Sequence, residues 1–156
     1  MERRIRTGWL LVAAQFLLLA VLVFAPRGDA WTVPGVLRAF GLLLRVGGLA
    51  AIVAGAVSLG RSLAVHPAPS SNAELKTDGL YRHVRHPIYS GVLLLGAGIA
   101  LTSGNGVCLV AMLGLIPVLT AKSRLEEQLL RERFAGYDEY ARRTPAFVPR
   151  PPALFL

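Results

Sequence analysis

The sequence predicts an all-α fold: a polytopic membrane helical bundle of about four transmembrane helices, with a C-terminal amphipathic cytoplasmic helix, forming one domain over residues 1–156. Three observations lead there. Hydrophobic residues make up 54% of the 156-residue chain and charged residues only 17%, against about 25% charged in a soluble domain. Mean hydropathy is +0.53. Charge-free runs cover residues 7–26 and 87–121, 20 and 35 residues long, and a helix needs about 20 apolar residues to cross a hydrocarbon core. A water-soluble globule and a disordered chain are both excluded.

The first expected span, residues 8–25, follows Arg3, Arg4 and Arg6. That opening is also how a signal peptide begins, but its 18 apolar residues exceed the usual 7–15 and no clean small-residue cleavage site follows, so the expectation is an uncleaved helix. The second span, residues 37–63, contains Arg38 and Arg45, which must snorkel or face a polar neighbour. Within it Gly47, Ala51 and Gly55 recur every four residues, and this small-residue stripe is expected to be a helix-packing face. The 35-residue run is too long for one helix. Ser103-Gly104-Asn105-Gly106 at its centre is a turn signal, giving a hairpin of spans at 88–102 and 107–121. Pro117 lies inside the second arm, where a proline removes one backbone hydrogen bond and is expected to kink the helix.

Loop charge gives the orientation. Of the 17 Lys and Arg residues, 14 fall in the N-terminal segment, in residues 61–86 and from Lys122 onward; the exceptions are Arg27, Arg38 and Arg45. Cytoplasmic loops carry the excess of basic residues, so both termini and the segments 70–89 and 122–150 are expected on the cytoplasmic side. The net charge of +8 is read as this orienting charge, and no nucleic-acid partner is expected. Cys108 is alone, and His66, His83 and His86 form no metal-ligand spacing, so neither a disulfide nor a metal site is expected. The oligomeric state is open.

The hairpin brings two polar segments to one membrane face. The first contains Lys76-Thr77-Asp78-Gly79, a turn, and then Pro87, which suits the first turn of a helix. His86 before it is pushed towards an extended conformation that leaves backbone groups available to a ligand, and Gly91 permits close approach to the helix. In the second segment Leu125, Leu129, Leu130, Phe134 and Tyr137 form the apolar stripe of an amphipathic helix continuing the last span. Glu127 and Arg131 make a favourable i, i+4 pair, and Glu126 and Glu127 stand at the membrane exit, where acidic groups need partners.

Arg85-His86-Pro87-Ile88-Tyr89-Ser90-Gly91, followed after a hydrophobic hairpin by Glu126-Glu127, resembles the RHPxYxG…EE signature of integral-membrane methyltransferases, the isoprenylcysteine carboxyl methyltransferase and phospholipid methyltransferase type. The lead-in Leu75-Lys76-Thr77-Asp78-Gly79-Leu80-Tyr81 is similar to that superfamily's LVTxGPY, with Leu80 where proline is common. Phe134-Ala135-Gly136-Tyr137-Asp138-Glu139-Tyr140 and Arg142-Arg143-Thr144-Pro145 resemble its ending. The likeness covers residues 75–150. It implies S-adenosyl-L-methionine as cofactor and a methyl group passed to a lipophilic small molecule, lipid or lipidated acceptor (carboxylate, amine, phenol or thiol) at the membrane. It also implies a site with Arg85, His86 and Glu127 as catalytic residues, and Tyr81, Val84, Arg85, His86, Pro87, Tyr89, Gly91, Glu126 and Glu127 around the cofactor. Tyr81 and Tyr89 would face the sulfonium, and Arg85 would hold a carboxylate. A non-catalytic scaffold binding anionic membrane lipid, and a nicotinamide-dependent membrane reductase, are the alternatives.

Overall fold

The computed structural model describes residues 2–60 and 75–149. His66, residues 61–63 of the second expected span, residues 70–74 of the first polar segment and Arg150 lie outside the described residues. The described part folds as the expected all-helical bundle: α1 (Glu2–Phe24), α2 (Gly35–Leu59), a 3₁₀ turn (Gly79–Arg82), α3 (Pro87–Ser103), α4 (Gly106–Arg133) and a short α5 (Tyr137–Arg143). The helices α1, α2 and α4 are each long and apolar enough to cross a membrane; α3 is apolar but shorter.

Helix ends follow from local chemistry. Pro87 occupies the first turn of α3, where its missing N–H costs nothing. Gly104 adopts the left-handed conformation that ends α3 (φ 63°), and the Asn105 side chain then accepts from Val107 N–H to cap α4. The long α4 runs as one helix through Pro117 and continues to Arg133, carrying its last turns past the apolar stretch.

The antiparallel hairpin α3–α4 is the centre of the bundle. On its outer flanks α2 packs along α3 and α1 packs along α4. A core of Leu22, Val92, Ala100, Cys108, Ala111, Leu115 and Leu119 fills the α1–α3–α4 contact, while large apolar side chains such as Leu10, Phe24, Val36 and Val57 point outward. In lipid such side chains lose nothing by exposure, and association rests on close packing.

The packing face of α2 differs from the expected one. Gly47 is exposed, and a Cβ there would meet nothing within 4 Å. The buried glycines are Gly41, Gly48 and Gly55, seven apart. A Cβ on Gly48 would lie 2.6 Å from both Gly91 O and Leu95 N of α3, and one on Gly98 would lie 2.5 Å from Gly41 O. Gly91 and Gly98 are also seven apart, so two glycine faces of equal period interlock backbone to backbone. Of the expected stripe, Gly55 belongs to this face and Ala51 is half-buried beside it, while Gly47 lies off it.

At the end of the bundle away from Glu126 and Glu127, the α1–α2 loop is stitched to the hairpin turn. Gly28 N–H donates to Ser103 O and Ala30 N–H to Gly104 O, both at 2.9 Å. The Asn105 amide donates to Pro26 O (2.9 Å) and the Trp31 indole to Leu101 O (3.2 Å).

Candidate active site

At the other end, the start of α3 and the extension of α4 face each other. Arg85 and His86 lie just before Pro87, and Tyr89 within the first turn of α3; Glu126 and Glu127 lie on the facing turns of α4. Glu127 is the hub. The Arg85 guanidinium donates to Glu127 Oε1 through Nε (3.0 Å) and Nη2 (2.8 Å). His86 Nε2 lies 3.0 Å from the same oxygen, and Arg131 Nη2 lies 3.5 Å from Oε2. Glu126 accepts from the Tyr89 hydroxyl, with His86 Nδ1 3.8 Å from its other oxygen. The His86 ring stacks on Tyr89, centroids 5.4 Å apart and planes 4° apart.

The chain that follows α4 closes over this cluster. Arg131 Nε donates to Asp138 (2.9 Å) and its guanidinium lies over the Tyr137 ring, seating α5 against the end of α4. Arg85 Nη1 donates to Ala141 O at 2.9 Å and to Thr144 O. Residues 145–147 then run alongside the Arg85–His86 backbone: Arg85 N–H donates to Pro145 O (2.8 Å) and His86 N–H to Ala146 O (3.0 Å), while the Ser90 hydroxyl donates to Phe147 O (2.7 Å). The Phe147 ring tilts against His86. The backbone donors that an extended His86 was expected to offer a ligand are therefore satisfied by the chain itself.

Of the other residues read from the sequence, Tyr81 is buried, donates to Gly55 O at 3.4 Å and receives the Tyr140 hydroxyl on its carbonyl at 2.6 Å. Val84 and Pro87 are buried beneath the cluster. Gly91 permits the close approach expected of it, and what approaches is α2: a Cβ there would lie 2.6 Å from Gly48 O and 2.9 Å from Ile52 N. Its close neighbour is a helix backbone, and it is a packing residue. Burial raises the hydroxyls of Tyr81, Tyr137 and Tyr140 above the ordinary phenol range, that of Tyr140 to about 12, so all three are protonated donors at neutral pH. The buried Tyr137 hydroxyl has no hydrogen-bond partner among the described residues.

Two residues were missed from sequence. Lys122 is 4% exposed, donates to Gln15 Oε1 of α1 at 3.1 Å, and places its ammonium 5.1 Å from the Tyr89 ring centroid. Gln15 is the one amide in the apolar part of α1 and Lys122 the first charge after the 35-residue run; those positions were the available signal.

The comparisons agree with this architecture. A sequence model of the phospholipid methyltransferase family matches residues 36–136, well over half of the chain, so this chain belongs to that family of integral membrane proteins. It is 36% identical over 151 residues to the cobalt-zinc-cadmium resistance protein CzcN of Cupriavidus metallidurans, covering 94% of this chain and 65% of that protein. It is 38% identical over 81 residues to methanethiol S-methyltransferase 2 of Bradyrhizobium diazoefficiens, 51% of this chain and 30% of the relative. It is 33% identical over 78 residues to protein-S-isoprenylcysteine O-methyltransferase B of Arabidopsis thaliana, 49% of this chain and 40% of the relative. The chain thus spans between about a third and two thirds of the lengths of these relatives. Among the described residues no three of His, Cys, Asp and Glu gather as a metal ion would require.

Proposed function

We propose that this chain is an S-adenosylmethionine-dependent methyltransferase acting on a lipophilic or membrane-borne acceptor at the cytoplasmic face. The observation that carries the proposal is the convergence of Glu126 and Glu127 with Arg85, His86 and Tyr89 across the α3–α4 hairpin. Relatives named for methyl transfer to a thiol and to isoprenylcysteine support it. The donor set suits the cofactor: carboxylates to accept from its amino and ribose hydroxyl groups, and in Tyr137 an orphaned buried hydroxyl. When bound, S-adenosylmethionine would supply an electrophilic methyl group on a sulfonium sulfur, which departs as a neutral thioether.

The residues divide by what their bonds leave free. Arg85 makes four hydrogen bonds, two to Glu127 and two to tail carbonyls, so we assign it to positioning Glu127 and the tail. Glu126 has an oxygen with no hydrogen bond among the described residues and is the better ligand for the cofactor. If Nε2–H of His86 donates to Glu127, Nδ1 holds the lone pair and can take a proton from a thiol, phenol or amine; a carboxylate acceptor needs no base. Closure by α5 and residues 145–147 excludes water, and most of the rate gain would come from holding the acceptor in line with the methyl carbon.

Titration of the detergent-purified chain with S-adenosylhomocysteine and, separately, with NADPH tests the reading. Saturable binding of the first alone is expected; binding of NADPH, or of neither, overturns it.

A further inference from the structure

We propose a second binding site, at the membrane face opposite the carboxylate cluster, that takes a phosphate-bearing anion. A cavity of about 520 Å³ opens there between the α1–α2 loop and the outer halves of α2 and α3, and Arg27, Arg38, Arg45 and Trp31 line it. That volume lies within the usual range for small-ligand pockets. Ser103 lines it as well, at the far end of α3 from Pro87, so the two sites are separated by roughly 24 Å at 1.5 Å per residue.

Its charge is one-sided. No acidic residue lines the cavity, and among the described residues none of the three arginines has an ion-pair partner; Asp29, the one acid of the loop, is not in the lining. These arginines are also the only 3 of the 17 basic residues that fall outside the segments where positive charge collects. Orientation therefore does not account for them.

Arg45 makes the strongest case. It lies ten residues into α2, about 15 Å from that helix's start, where a charge is costly without partners. Its Nη2 donates to Gly98 O at 3.2 Å, but its buried Nε has no acceptor among the described residues. A buried donor left open incurs its full desolvation cost. Arg38 lies seven residues earlier on the same face of α2 and donates Nε to Val33 O (3.0 Å), leaving its terminal amino groups for a ligand. Arg27 is supplied by a loop already held to the hairpin turn through Gly28, Ala30, Asn105 and Trp31, so the cavity wall is preorganised. Three guanidinium groups converging on one cavity fit the forked geometry of phosphate. A membrane phosphodiester headgroup and a free phosphate share that chemistry.

The test uses the full chain in a Trp9→Phe background, which leaves Trp31 as the one tryptophan, and reads its fluorescence. One arm compares nanodiscs of phosphatidylcholine with nanodiscs doped with phosphatidylglycerol; the other titrates inorganic phosphate and glycerol phosphate in detergent. A saturable change in Trp31 emission is expected in one arm, identifying a lipid or a soluble source, and weakening as salt is raised. Arg27→Gln with Arg38→Gln, both exposed positions, should weaken apparent affinity by about tenfold or more, since each removes a charge-assisted contact. Arg45→Gln should do the same wherever it folds. No saturable response in either arm, or an unchanged response in the Arg27/Arg38 double variant, overturns the site.

Discussion

Glu127 meets three cationic or ionisable partners, Arg85, His86 and Arg131, at 2.8 to 3.5 Å, whereas Glu126 meets chiefly a phenol and the edge of an imidazole. The two carboxylates should therefore fail differently when neutralised. Glu127→Gln leaves the Arg85 guanidinium, whose side chain is 14% exposed, without its counter-charge, and breaking such a buried pair costs about 3–5 kcal/mol. A marked fall in thermal midpoint is expected alongside lost S-adenosylhomocysteine binding. Glu126→Gln keeps an acceptor for Tyr89 and should leave the midpoint nearly unchanged, while affinity falls about 10- to 100-fold, the worth of one charge-assisted hydrogen bond of roughly 1.5–3 kcal/mol. Wild-type affinity in that variant would remove Glu126 from the cofactor site. Much of this cluster was legible in advance, because Arg85, His86, Tyr89 and the two glutamates stand in a recognisable order around a hairpin. Lys122 and Gln15 were not: their pairing joins positions 107 apart, and neither residue has a neighbour in sequence that hints at the other.

At the scale of elements, α2 and α3 depend on interlocked glycines. An alanine methyl at Gly48 would sit 2.6 Å from two backbone atoms of α3, and backbone cannot rotate out of the way. Gly48→Ala should thus force the helices apart at a cost of about 1–3 kcal/mol, read as a lowered unfolding midpoint in mixed micelles. Gly47→Ala, with open space around it, should be neutral or mildly stabilising; equal losses in the two variants would contradict the seven-residue register. The sequence offers α2 two small-residue stripes that share Gly55, and helix period alone does not choose between them. The choice is made by α3, whose Gly91 and Gly98 match the spacing of Gly41 and Gly48. A packing face that depends on its partner's period is readable only once the partner is known.

For the whole molecule, the ion pair between Arg4 and Glu132 joins the start of α1 to the end of α4, so the N-terminal arginines and the carboxylate cluster share one end of the bundle. We place that end in the cytoplasm on the charge count, and the placement is open to test. Cys108 is 1% exposed and should not react, so cysteines introduced by Glu2→Cys, Ala30→Cys and Val148→Cys can be labelled in intact cells with a membrane-impermeant maleimide. Only Ala30→Cys should react from outside; labelling of either of the others would invert or break the topology. Charge-free runs and a central turn sufficed to foresee a helical bundle. They could not foresee that the loop after α1 would be stitched to the hairpin turn, because those bonds are made by backbone groups that every residue carries.

The pairing of residues 145–147 with Arg85 and His86 has a consequence for biogenesis. A chain made from its N-terminus completes the last of its four apolar helices at Arg133, before the stretch that holds the RHP backbone in place has been synthesised. A released chain cut short at Arg143 should therefore insert yet lose affinity for S-adenosylhomocysteine, with the amide protons of Arg85 and His86 exchanging freely where the longer chain protects them.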